Sequence, residues 1–172
     1  MVELNNKDHL GLWNVLTYQG STVLIPDAQK LQSLNPKDYT NRVIVAGSRG
    51  YDNREEFHRM MCAYVKRFDT PILFISGVAP SGADDLIIRW CARFKYPCLQ
   101  MPADWDLNGK AAGFIRNAEM AKIASHVLAF YDGESRGTGH MIDLAIKDKL
   151  QVKILYIKQG KKIHDEHPDQ YC

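Results

Sequence analysis

From residue 42 onward, short apolar runs alternate with segments whose apolar residues recur at helical spacing. Five runs read as strands: 42–46 (RVIVA), 72–76 (ILFIS), 97–101 (PCLQM), 126–131 (HVLAFY) and 152–157 (VKILYI). They are almost continuously apolar rather than alternating, so each is expected to be covered on both faces, as in a parallel sheet. Four segments between them carry a 3.6-residue period. Phe57, Met60, Met61, Tyr64 and Phe68 mark the first, with Asn53 and Glu56 spaced as a capping box at its start. Leu86, Ile87, Trp90 and Phe94 mark the second, Ile115, Ala118 and Ile123 the third, and Ile142, Ala145 and Ile146 the fourth. This alternation predicts an α/β protein with a Rossmann-like, doubly wound, mainly parallel sheet of about five strands.

Residues 1–40 do not share the rhythm. Residues 13–16 and 22–25 flank Gln19, Gly20 and Ser21 as a candidate β-hairpin, after which Pro26 and Pro36 interrupt the chain. The expected organisation is an N-terminal extension over 1–40, packed on the domain or on a second subunit. A Rossmann-like domain over 41–158 and a polar C-terminal tail over 159–172 follow it.

Composition narrows the function. With 172 residues, 45% of them hydrophobic and 24% charged, the chain suffices for one domain with a sizeable core. A net charge of +2 lacks the strongly basic footprint of proteins that bind long nucleic acid. That argues against nucleic acid as a partner and leaves a compact charged ligand. Cys62, Cys91, Cys98 and Cys172 form no CxxC pair and have no His cluster beside them, so no metal site is expected. No apolar run approaches the roughly 18 residues of a membrane span, and the polar start, MVELNNKDH, does not read as a secretory signal. The expected location is cytoplasmic, with no membrane partner.

In a doubly wound sheet the loops that follow the strands gather on one edge, where ligands bind. After the first strand come Gly47, Ser48, Arg49, Gly50 and Tyr51. Glycine lets the backbone approach a ligand, Ser48 offers a hydroxyl, and Arg49 a planar fork suited to phosphate or carboxylate. A glycine turn with a solvated arginine is the bland alternative. The second strand ends in Ser76 and Gly77 and leads through a small-residue loop to Gly82, Ala83 and Asp84. Such a loop feeding a helix N-terminus favours an anion, although the Gly-Lys-Ser/Thr ending of a Walker loop is absent. Asp84 either caps that helix or contacts the ligand. Asp104, Trp105, Lys110, Arg116 and Asn117 follow the third strand. A ring, a lysine and an arginine there suit base stacking and phosphate neutralisation, while burial is the equal alternative for Trp105. After the fourth strand a second glycine-rich loop, DGESRGTGH over 132–140, brings Gly137 and Thr138 to another helix start.

The motifs GSRGY, SGVAPSGADDL, PADW, GKAAGFIRNAEM and DGESRGTGHMI occur in this order over 42–157. Together they resemble the SLOG superfamily, which includes the cytokinin-activating LOG phosphoribohydrolases and the DNA-processing protein DprA. The resemblance is greatest to its YspA-related phage and bacterial branch. It implies a Rossmann-like domain, a nucleotide-derived ligand (nucleoside phosphate, NAD or ADP-ribose type), no required cofactor, and a homo-oligomer. In hydrolytic members an arginine stands before an Ala-Glu-Met stretch, matched here by Arg116 before Ala118, Glu119 and Met120. This implies a ligand-binding, and in a hydrolase catalytic, role for Arg116. Those enzymes also carry Gly-Gly-x-Gly-Thr-x-x-Glu, and Met141 occupies the position of that glutamate, leaving Glu134, His140 or Asp143 as substitutes. The expected function is binding of a nucleotide-derived small ligand, by a sensor or sequestering protein. The alternatives are N-glycosidic hydrolysis of nucleoside monophosphates, with Arg116 and Glu134 as the catalytic pair, and DprA-like DNA binding.

Overall fold

The computed structural model describes residues 13–18, 21–26 and 34–158. Strands β1 (Trp13–Tyr18) and β2 (Ser21–Pro26) pair antiparallel, with Trp13 opposite Pro26 and Tyr18 opposite Ser21. The hairpin's turn, residues 19–20, lies outside the described residues, as do 159–172.

Strand β3 (Asn41–Gly47) forms the middle of a parallel sheet. Its Val43, Ile44 and Val45 are completely buried, which the β-branched run anticipates. On one side lie β4 (Ile72–Ser76) and β5 (Cys98–Gln100); on the other, β6 (His126–Tyr131) and β7 (Gln151–Tyr156). All four pairings are parallel and the order is β5-β4-β3-β6-β7. The chain is thus a doubly wound α/β protein with five parallel strands. Two strands depart from their expected form. Pro97, which has no N–H to give a ladder, stays outside β5. Strand β7 begins one residue earlier than expected, and its Gln151, Lys153 and Tyr156 are exposed, because an edge strand is not covered like the central ones.

The helices split between the two faces. α1 (Arg54–Val65) and α2 (Ala83–Phe94) cover one. There Phe57, Met61, Leu86, Ile87 and Trp90 pack on Val43, Val45, Phe74 and Phe130. The opposite face belongs to α4 (Ala112–Ile123) and α5 (Arg136–Lys147), whose Met120, Met141, Ile142 and Ala145 pack on Ile44, Ala46, Ile75 and Ala129. Successive strand residues therefore feed alternate cores, as the pleat requires. Asn53 starts α1 by accepting the Glu56 N–H at 3.1 Å. A one-turn helix α3 (Trp105–Asn108), capped by Asp104 through the Leu107 N–H at 2.9 Å, precedes α4. The stripe expected on α4 is displaced: Ile115 is 40% exposed, while Ala112, Asn117, Met120 and Ala121 are buried. Ile146 of α5 also faces out, at 63%.

Chain direction sets the ligand edge. From β3 the crossovers through α1 and α2 step outward to β4 and β5; α4 then carries the chain back past β3 to β6, and α5 steps to β7. Beside β3 and β6 the connections leave in opposite directions, which opens a crevice above their carboxyl ends. Among the described residues no helix is long and apolar enough to cross a membrane.

Candidate functional site

A cavity of about 350 Å³ fills this crevice. Its first wall follows β3. A Cβ on Gly47 would lie 2.7 Å from both Ala83 Cβ and the Phe130 carbonyl oxygen, so only glycine allows α2 and β6 to close on the chain there. Gly82, the residue before α2, has φ +77°, and a Cβ there would meet Arg49 Cα at 2.8 Å. These two glycines press the loop after β3 against the start of α2. The result is a buried Ser48, 2% exposed, whose N–H donates to Phe130 O at 3.1 Å. Its Oγ has no hydrogen-bond partner among the described residues. An unsatisfied buried hydroxyl costs about 1–3 kcal/mol.

Three cationic side chains line the same cleft. Arg49, Lys110 and Arg116 line the cleft, and none forms an ion pair with a described residue; the Arg89–Asp85 pair at 2.7 Å lies elsewhere on α2. Arg116 of α4 donates through Nη1 to the Gly77 carbonyl and through Nε to Asn117 Oδ1 at 3.1 Å. Burial holds its pKa below the usual arginine value; nearby Asp84 opposes that shift and Arg49 adds to it. Arg116 is thus a partly desolvated cation that feels the attraction of Asp84 more than the repulsion of exposed Arg49, and an anion in the cleft would stabilise it further.

The loop after β4 is braced from within. Ser76 Oγ donates to Asp84 O at 2.9 Å and accepts the Val78 N–H at 3.1 Å. Val78 sits at φ +59°, a conformation that costs a β-branched residue about 1–2 kcal/mol. Asp84 Oδ2 accepts the Ala79 N–H at 3.2 Å. Burial pushes the Asp84 carboxyl pKa up, while the Ala79 N–H, Arg116 and Arg49 pull it back. The positive end of α2 therefore already has a carboxylate. At the start of α5 a carboxylate, Asp132, lies only ahead of the helix: among the described residues no side chain caps the helix amides and the first turn holds no acidic residue. Asp132 shapes the approach by accepting the Glu134 and Ser135 N–H groups at 2.9 and 2.8 Å, and Ser135 and Thr138 hydroxyls meet at 3.0 Å. Of the two helix starts, α5 is the one open to an anion.

An aromatic wall closes the other side. Trp105 and Phe114 line the cleft yet remain 52% and 45% exposed. Gly113 lies beneath the indole, and Phe114 meets His140 edge-on at 4.7 Å. Asn117 donates to Gly137 O at 3.2 Å, tying α4 to the α5 loop.

Gly47, Ser48, Arg49, Asp84, Trp105, Lys110, Arg116, Asn117, Gly137 and Thr138 are brought together. Ser76, Gly77, Gly82 and Ala83 lie beneath the site as its scaffold, and Asp104 is an exposed cap. Glu134 is exposed in the loop before α5 and does not line the cavity; the carboxylates that do are Asp84 and Asp132. Met141, 1% exposed, forms floor. Sequence reasoning did not single out Asp132 or Phe114, and it reached Ser135 only as part of the glycine-rich loop; the Asp-Gly step before a helix was the available signal for Asp132. Among the described residues no three His, Cys, Asp or Glu side chains group to hold a metal. A second cavity, about 360 Å³, runs between α1 and α2 over Phe57, Leu86, Trp90 and Phe94. Size does not separate the two, and arginines line both, but the Ser48 hydroxyl and the uncapped start of α5 belong to the first.

No protein-family model matches the chain. It is 32% identical over 117 residues to the Gene 61 protein of Mycobacterium phage D29, covering 64% of this chain and 93% of that one. DNA processing protein A (DprA) from Streptococcus pneumoniae shares the fold, with a TM-score of 0.51 at 16% identity over 76% of this chain. The chain spans about half that protein's length, 54%. DprA from Helicobacter pylori, whose structure was described for its single-stranded DNA binding mode, superposes with a TM-score of 0.46 at 14% identity, covering 87% and 83% of the two chains. The expectation that argued against nucleic acid as a partner is corrected here: a DNA-processing protein uses this fold. A net charge near zero describes the whole surface, whereas cations gathered in one cleft suffice for phosphate contact.

Proposed function

The chain belongs to the family of the Gene 61 protein of Mycobacterium phage D29, and for it we propose a nucleic-acid-binding function, in which the β3–β6 cleft holds a segment of single-stranded DNA. The observation that carries this reading is the junction of Arg49, Lys110 and Arg116 with the orphan Ser48 hydroxyl beside two exposed rings, Trp105 and Phe114. Cations and uncapped amides of α5 suit a phosphate. The rings suit a base, and only an unpaired base has a free face to stack on them. The fold shared with a DNA-processing protein supports the same class of partner. Fluorescence anisotropy with labelled oligothymidylate tests it. Saturable binding that weakens with added salt is expected, and oligothymidylate should bind better than a hairpin duplex. Equal binding of the duplex, or none of either, rejects the reading.

A second reading is a free nucleotide-derived ligand, of the nucleoside phosphate, NAD or ADP-ribose kind. Cavity size favours it, since about 350 Å³ accommodates one nucleotide unit. Competition of the labelled strand by a nucleotide panel separates the two. A nucleotide that displaces it at a concentration far below that of unlabelled oligothymidylate supports the small ligand. Hydrolysis of such a ligand would draw on Asp84 or Asp132, because Met141 can neither take a proton nor carry charge.

A further inference from the structure

We infer that the cleft is matched to the singly charged internal phosphodiester of a nucleic-acid strand and turns away doubly charged terminal phosphates, with Asp84 setting the preference; this rests on the nucleic-acid reading above. Three cationic side chains, Arg49, Lys110 and Arg116, and two acidic ones, Asp84 and Asp132, line the cavity, so the lining carries one net positive charge. A site built for a terminal phosphate or pyrophosphate gathers excess positive charge. This one instead places a carboxylate in the first turn of α2, where an anion would otherwise meet the positive end of the helix. Asp84 is 8% exposed and fixed by the Ala79 N–H at 3.2 Å, so it cannot swing into solvent when ligand arrives. Its charge reaches both Arg116 and Arg49.

The open positions fit one phosphodiester. The Ser48 hydroxyl offers one donor, and the uncapped first turn of α5 offers amides. A diester has two free oxygens and a single negative charge to share between them. A phosphate monoester near neutral pH carries close to two charges, its second pKa being about 6. The additional charge would stand against the Asp84 carboxylate in a partly dehydrated cleft. The expected discrimination is about tenfold, well below what one like-charge pair gives at moderate effective dielectric, because Arg49, Lys110 and Arg116 attract the additional charge and offset part of the repulsion.

Thymidine 5′-phosphate and its methyl ester differ in this charge and little else. Both are competed against labelled oligothymidylate on the full-length wild-type chain and on Asp84→Asn, which keeps an oxygen for the Ala79 N–H. Wild type is expected to bind the methyl ester ~10-fold more tightly than the monoester, and Asp84→Asn to lose or reverse the preference. Equal or tighter binding of the monoester by wild type overturns the inference. Should Asp84→Asn lose its folded circular dichroism, the wild-type comparison decides alone. If labelled oligothymidylate itself does not bind, the nucleic-acid reading fails and this inference fails with it; if it binds without charge preference, only the inference fails.

Discussion

Replacement of Arg49 by alanine separates a ligand contact from a structural one. Arg49 is exposed, lines the cleft, and pairs with no acidic side chain among the described residues. Its charge repels Arg116 and attracts the buried Asp84 carboxylate, so its removal relieves one interaction in the free protein and loses the other. Folding stability should therefore change by no more than about 0.5 kcal/mol, the range of surface substitutions without a partner. Binding should suffer much more. One charge-assisted hydrogen bond is worth about 1.5–3 kcal/mol, which weakens Kd by about 10- to 150-fold. Loss of one phosphate contact should also reduce the slope of log K against log salt by about 0.7, the value per neutralised phosphate on a single strand. Anisotropy titrations at several salt concentrations and a thermal melt measure all three quantities. An unchanged Kd with a lowered melting temperature would refute the argument and make Arg49 part of the scaffold.

Trp105→Ala should weaken strand binding by about 1–3 kcal/mol while leaving a melt nearly unchanged, and saturation with strand should quench indole emission in wild type but much less in the variant. Gly47→Ala should lower stability by about 1–3 kcal/mol in a denaturant titration, because Ala83 and the Phe130 backbone leave its Cβ no space. For Asp84 the folded pKa lies above the ordinary 3.8, so the folded state holds the proton more tightly than the unfolded one. The associated stability is present below that value and lost as pH rises through the folded pKa. Asp84→Asn should accordingly melt above wild type at pH 7, with the gap closing below about pH 4; a gap independent of pH would remove burial of the charge as its cause.

The central strands were legible in the sequence because Val43, Ile44, Val45 and the Phe74 and Phe130 runs are apolar without alternation, a pattern only a doubly covered strand needs. β7 was harder: half-exposed edge strands carry weaker patterns, and its ends shifted by one residue. Helix α4 misled the periodicity. Alanines 112 and 121 bury as surely as leucines would yet barely mark a stripe, while Phe114 and Ile115 stand out in sequence and face solvent. Chemistry of single loops could also be read, hence Arg49, Lys110 and Arg116. Which helix start remains open to an anion could not. That depends on Asp84 folding back to the Ala79 N–H and on the absence of any cap at Ser135, which are facts of geometry and not of composition. The orphan state of Ser48 Oγ likewise arises only when Gly47 and Gly82 close around it.

Amide chemical-shift mapping with unlabelled oligothymidylate tests the location of binding most directly. The account predicts that saturating strand shifts the amides of Ser48, Arg49, Lys110, Gly113, Gly137 and Thr138, together with the Trp105 indole N–H. Shifts confined to the α1–α2 groove around Phe57, Leu86 and Trp90, with the β3–β6 cleft unmoved, would contradict it.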